Sequence, residues 1–140
     1  MLKSLSLKIL LVITICSNAY ADDGEFNEFV DSYLNNPSIA LTRTLFPLRY
    51  VTEYVGATEN ETVVKEITKV EFEKWPLITG EKVPGWEDWK VLSIDEKKPC
   101  EYTSCKYVTY GIPNTGINSR YLFVKKEDLW FLSEMYDLEL

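Results

Sequence analysis

Apolar residues recur at helical spacing early in the chain and switch to strand-like runs later. Phe26, Phe29, Val30, Tyr33 and Leu34 predict a helix over 25–35 with one apolar face. Asp22 and Asp23 precede it as candidate caps, and Glu25, Glu28 and Asp31 carry the charge that a helix dipole favours in its early turns. Asn35-Asn36-Pro37 ends it. Ser38 is expected to cap a second, short helix to about Arg43, with Ile39 and Leu41 partly buried. Residues 44–55 are apolar, β-branched and aromatic and read as a strand, in which Pro47 demands an edge or a strand start. After a polar turn over 56–61, residues 62–67 read as a strand, and Thr68-Lys69-Val70-Glu71 as a capping box opening a short helix toward Trp75. A continuous helix from Thr62 is the alternative, because Val63, Ile67, Val70 and Lys74 also fit helical spacing. Two prolines and two glycines over 76–86 predict a loop. Strands are expected over 89–94, 102–112, 119–125 and 130–138, with turns at Pro113-Asn114-Thr115-Gly116 and Lys126-Glu127-Asp128. Helices first and strands last predict an α+β fold, N-terminal helices packed on an antiparallel sheet.

The first 21 residues have a different character. Lys3 and Lys8 precede an apolar run over 9–15, and Ala19-Tyr20-Ala21 has the form of a signal-peptidase site. Residues 1–21 are therefore expected to be a removable signal peptide, with 22–140 a single domain in the periplasm or outside the cell. The run is too short for a membrane anchor, and Ile15 before Cys16 does not suit lipoprotein processing. Loss of Cys16 leaves Cys100 and Cys105, a pair expected to close a small structural disulfide ring in an oxidising compartment.

Charge then narrows the function classes. Fifteen Lys and Arg less Lys3 and Lys8 leave 13 against 22 acids in 22–140, a net −9. Such a surface does not suit nucleic acid or an anionic membrane. The chain contains no histidine, which removes Ser-His and Cys-His nucleophiles and the usual His-containing metal sites. No calcium-loop spacing exists either, so no metal and no cofactor are expected.

Phe26-x-x-Phe29, Arg43-x-x-Phe46-Pro47-Leu48, Tyr121-x-Phe123 and Trp130-x-Leu132 together resemble a poorly characterised family of secreted bacterial proteins. That family is similar to a branch of the nuclear-transport-factor-2-like superfamily. The resemblance implies a cone: N-terminal helices on a strongly curved antiparallel sheet, with a pocket between them. Where the family pattern leads one to expect a glutamine, this chain has Ala40. The superfamily holds enzymes, ligand binders, dimerisation modules and immunity proteins, so the resemblance speaks to fold more than to function.

Candidate functional residues are few. Arg43 is a candidate pocket residue, able to hold a carboxylate ligand bidentately or to pair with an acid of the first helix. Trp75 is a second candidate for the pocket. Trp86-Glu87-Asp88-Trp89, preceded by Pro84-Gly85, places two large aromatics around two acids and is the candidate partner-binding loop. Asp95 reads as a solvated strand end, and no aspartate lies in a clearly pocket-facing pattern. Alternation sets Cys105, Tyr107 and Thr109 on one face and Lys106, Val108 and Tyr110 on the other. The expectation is an exported, non-enzymatic binding protein, an inhibitor or immunity-type protein that meets a basic toxin or cell-wall hydrolase. The alternatives are a small-molecule binder using the pocket and a His-free enzyme working with carboxylates and tyrosines.

Overall fold

The computed structural model describes the backbone of residues 18–56 and 58–139 and the side chains of 25–56 and 58–137. Most of the expected leader, Cys16 included, lies outside the described residues. Helix α1, Asn18–Asn35, begins earlier than the predicted position 25. Its predicted apolar stripe is the face it buries: Phe26, Val30 and Tyr33 are fully covered, and Phe29 and Leu34 partly. Helix α2, Pro37–Thr42, follows at once. Its cap is Asn36 rather than Ser38, for the Asn36 side chain accepts from the Ser38 and Ile39 backbone N–H groups. Pro37 then sits at the first helical position, where its missing N–H has no intrahelical partner to lose.

Strand β1, Thr44–Val55, runs into β2, Asn60–Ile67, with Leu48 opposite Ile67 and Val55 opposite Asn60. That pairing removes the continuous-helix alternative. Thr68 caps α3, Lys69–Phe72, through a complete capping box: its hydroxyl accepts from the Glu71 N–H, and the Glu71 carboxylate accepts from the Thr68 N–H. The expected loop over 76–86 contains a further turn of helix, α4, Pro76–Thr79, closed by Gly80 in the left-handed region. Strands β3, Lys90–Glu96, β4, Ser104–Gly111, β5, Asn118–Lys126, and β6, Leu129–Glu139, complete the chain. Gly111 ends β4 where nothing larger fits, since a Cβ there would lie 2.3 Å from the Ile117 carbonyl oxygen.

The six strands form one sheet in the order β2-β1-β6-β5-β4-β3. It is not wholly antiparallel: β1 and β6 pair in parallel, and this puts β1 inside the sheet with β2 as its edge. Pro47 is tolerated because it sits in the first part of β1, before pairing with β2 starts at Leu48 and where the register with β6 jumps between Thr44 and Arg49. Further irregularities fall between Leu122 and Phe123 on β5 and around Leu92 on β3. Bulges bend strands, and they curve this sheet around the helices.

The sheet has two unlike faces. Its inner face meets the helices through Leu48, Val108, Phe123, Trp130, Leu132 and Met135. Phe123 is the anchor, with Phe26, Phe29 and Tyr33 of α1 packed on it at centroid distances of 5.9, 5.5 and 5.1 Å. The outer face carries a smaller apolar cluster, Cys105, Leu122 and Val124, joined by Leu45, Cys100, Tyr107, Phe131 and Tyr136. Cys100 and Cys105 are disulfide-bonded, with Cα atoms 5.7 Å apart, and the ring closes the connection from β3 to β4.

Candidate functional site

Two rows of residues on the inner face combine buried positions, Val108, Met135, Ser119 and Thr52, with partly exposed ones, Tyr50, Tyr110, Tyr121 and Asp137. The register aligns Val108, Tyr121, Met135 and Tyr50 in one row and Tyr110, Ser119, Asp137 and Thr52 in the next. Asp137 is the centre of this area. One of its carboxylate oxygens accepts the Tyr50 hydroxyl and the other the Ser119 hydroxyl. Aromatic rings extend from it in both directions. Tyr50 meets Trp75 at 6.1 Å, and Trp75 rests on Phe72 at 4.9 Å. Tyr121 meets Tyr110 at 6.1 Å, Tyr110 meets Trp89 at 5.5 Å, and Trp89 meets Trp86 at 6.2 Å. Together these residues form a mouth: an arc of aromatics with one carboxylate at its middle.

The mouth favours neutral phenols. Burial pushes the Tyr121 hydroxyl far above the usual tyrosine value, and Tyr33, Asp137, Tyr110 and Tyr50 nearby push it further. Burial alone raises Tyr110. No ion pair among the described residues involves Asp137; those present are Arg49–Glu134, Lys65–Glu71 and Lys98–Glu96.

No aspartate lies in a clearly pocket-facing pattern in the sequence, yet Asp137 lies on the inner face, and β6 explains why. Trp130, Leu132, Met135 and Asp137 all lie on the inner face, although strict alternation from Trp130 would select 132, 134 and 136. The register shift opposite Leu122 and Phe123 leaves Ser133 unpaired with β5, and this extra residue exchanges the faces after it. Asp137 therefore turns inward, and Glu134 and Tyr136 turn outward, where the Tyr136 hydroxyl donates to Glu134. Burial and the neighbouring Glu134 carboxylate hold that phenol well above its usual range.

Arg43 and Trp75 are not brought together. Arg43 closes α2, donates weakly to the Trp130 carbonyl at 3.5 Å and lies 5.6 Å from the Phe131 ring, a member of the outer cluster. Among the described residues it makes no ion pair with an α1 carboxylate. Trp75, by contrast, lines the mouth. The Trp86-Glu87-Asp88-Trp89 segment divides in two. Gly85, at φ 88°, turns the chain into a short 3₁₀ turn, Trp86–Asp88, in which the Glu87 carboxylate accepts from the Gly85 N–H at 3.1 Å. Trp86 remains 44% exposed beside exposed Glu87 and Asp88, whereas Trp89 packs inward on Tyr110.

A concavity of about 420 Å³ lies between α1 and β3, lined by Asn27, Val91, Ser93, Ile94, Glu96 and Lys106. Lys106 is itself buried, its ammonium 4.9 Å from the Phe26 ring and 5.8 Å from the Trp130 ring. Lys106 stands four residues from Tyr110 along β4, about 13 Å, while Val91 at the other end of the groove pairs with Tyr110, so the groove reaches the edge of the mouth. Among the described residues no group of three or more His, Cys, Asp or Glu is placed to hold a metal, and no helix is long and apolar enough to cross a membrane.

No protein-family model and no curated protein matches the sequence. Solved structures do. An NTF2-like protein from Bacteroides fragilis superposes with a TM-score of 0.51 at 14% identity, over 82% of this chain and 47% of its own. This chain thus spans about half the length of that protein. A protein of unknown function from the DUF3225 family of Pectobacterium atrosepticum gives a TM-score of 0.50 at 12% identity, over 89% and 93% of the two chains. Helices ahead of a curved six-stranded sheet, in this order and with these likenesses, are the fold of the NTF2-like proteins.

Proposed function

We propose that the chain is an exported, non-catalytic binding protein whose ligand, a small molecule, occupies the mouth around Asp137. The observation that carries this reading is a half-buried carboxylate, held on both oxygens by hydroxyls and flanked by half-open aromatic rings. Rings supply contact area at low entropic cost, and a fixed carboxylate orients whatever enters, which is the usual composition of a ligand site. Native mass spectrometry of protein purified from its own host tests the proposal. A small-molecule adduct is expected on the wild type, and it is lost from Tyr110→Ala or Trp75→Ala, whichever keeps a cooperative melt. A bare wild-type mass, or an adduct that survives both substitutions, rejects the mouth as the site. Export is tested on the same material, whose N-terminal sequence should begin at Asp22.

Trp86 favours a second reading, an inhibitor or immunity-type role against a basic, cell-wall-directed protein. An exposed indole beside two exposed acids at the β3 edge suits such a partner. Trp86→Ala should then speed dissociation without lowering the melting temperature. Asp88→Lys should slow association, with the defect shrinking as salt rises. Unaltered kinetics in both variants would reject it.

A further inference from the structure

We propose that the mouth selects an organic cation, an amine or quaternary ammonium whose charge lies against Asp137 and whose alkyl groups lie on the faces of Tyr110 and Tyr121. This rests on the reading of the mouth as a ligand site and gives that ligand its chemical class.

Charge balance is the first argument. Asp137 is half-buried and has hydroxyl partners but no cationic one among the described residues. Two hydroxyls satisfy hydrogen bonds and leave the net charge standing, and a carboxylate with one bond on each oxygen keeps acceptor capacity. The lysines of the inner face are engaged elsewhere. Lys65, opposite Tyr50, reaches Glu71 at 3.7 Å, and Lys106 and Lys125 lie over Trp130 and its neighbours. An anionic ligand would meet the Asp137 charge with its nearest hydroxyl donors already used.

The rings supply the second argument. A cation within about 6 Å of an aromatic centroid is attracted to the ring face, and more strongly once desolvated. This protein places its own cations so at Phe26, Tyr107, Trp130 and Phe131. None of the five such contacts among the described residues involves Trp75, Trp89, Tyr110 or Tyr121. Among the described residues, these four partly exposed rings are therefore not covered by a cation of the protein itself. A bare metal ion is a poor alternative, since hard divalent cations require several oxygen ligands and the mouth offers one carboxylate. A net charge of −9 over 22–140 also draws cations toward the protein.

Calorimetric titration with choline, and with the neutral alcohol in which a tert-butyl group replaces the trimethylammonium, tests the class. The two probes share shape and differ in charge. Choline should bind saturably, about tenfold or more tighter than the alcohol, and should weaken as salt rises. Asp137→Asn should abolish that preference. Should the variant fail to fold, the wild-type comparison of the two probes decides alone. Equal affinity for both probes overturns the cation assignment and leaves the mouth as a site for neutral ligands. Failure of both probes to bind also overturns it. The mouth then stands only if native protein carries an adduct that Tyr110→Ala or Trp75→Ala removes, and without such an adduct both readings fall.

Discussion

Tyr33 illustrates how one side chain can tie two elements together. Its hydroxyl lies 2.7 Å from Thr44 Oγ1 in a fully buried setting, and Thr44 Oγ1 lies 2.6 Å from the Ala40 carbonyl. A threonine hydroxyl has one proton, and Ala40 can only accept, so Thr44 donates to Ala40 and Tyr33 donates to Thr44. The chain thereby links α1, α2 and the first residue of β1. Its two ends respond differently to substitution. Tyr33→Phe removes a donor and leaves Thr44 bonded, so it should lower stability by about 1 kcal/mol. Thr44→Val strands the buried Tyr33 hydroxyl and withdraws the donor from Ala40, so the loss should be larger, about 2 kcal/mol. Chemical denaturation of both variants checks the order, and an equal or reversed pair of losses would contradict the assigned direction. The helical stripe already marks Tyr33 as a core residue in the sequence. The partner of its hydroxyl, 11 residues away, follows no period and becomes visible only when α2 folds back.

At the scale of elements, legibility depends on how local the determining interaction is. The stripe of α1, the extent of β1, the capping box and both late hairpin turns are written in adjacent residues, and all stand as read. The parallel pairing of β1 with β6 joins residues more than 80 positions apart, and no local signal announces it. The bulge in β6 is silent for the same reason, which is why Asp137 was hidden while Trp75 and Trp89 were legible as candidates. Two of the local elements lead to predictions. Cys100–Cys105 closes a short ring at one end of β4, so Cys100→Ser should lower stability by about 2 kcal/mol and leave folding intact. Denaturation with and without reductant should show the same loss for the reduced wild type as for the variant. In the capping box, the Thr68 N–H and hydroxyl, with Lys65 adding its charge, hold the Glu71 carboxyl below its ordinary 4.5. A lowered folded value means that the box stabilises α3 fully above that pH and releases its contribution as pH falls through the folded value. Thermal melts from pH 6 to pH 3 (roughly the carboxylate range) should show a steeper decline for the wild type than for Glu71→Gln. Parallel declines would remove Glu71 from the account.

Across the whole molecule, the tyrosines behave as a set because the fold buries them from several directions. Tyr33 lies on the buried face of α1, Tyr121 and Tyr110 line the mouth, and Tyr136 belongs to the outer cluster, yet burial is the leading cause of a raised value in all four. Each therefore binds its proton more tightly in the folded chain than in the unfolded one. For such a group, stability is complete below the ordinary tyrosine value of 10.0 and declines as pH climbs above it, because the unfolded chain loses the proton first. Alkali should thus unfold this protein cooperatively, through groups on both faces of the sheet. The check is to follow tyrosinate absorbance and near-ultraviolet circular dichroism together while pH rises above 10. A late portion of the absorbance should appear only as the circular dichroism collapses, and its midpoint should move to lower pH in the less stable Thr44→Val. If every tyrosine ionises while the near-ultraviolet signal is intact, burial does not hold these phenols neutral, and the mouth around Asp137 is wetter than its half-buried rings imply.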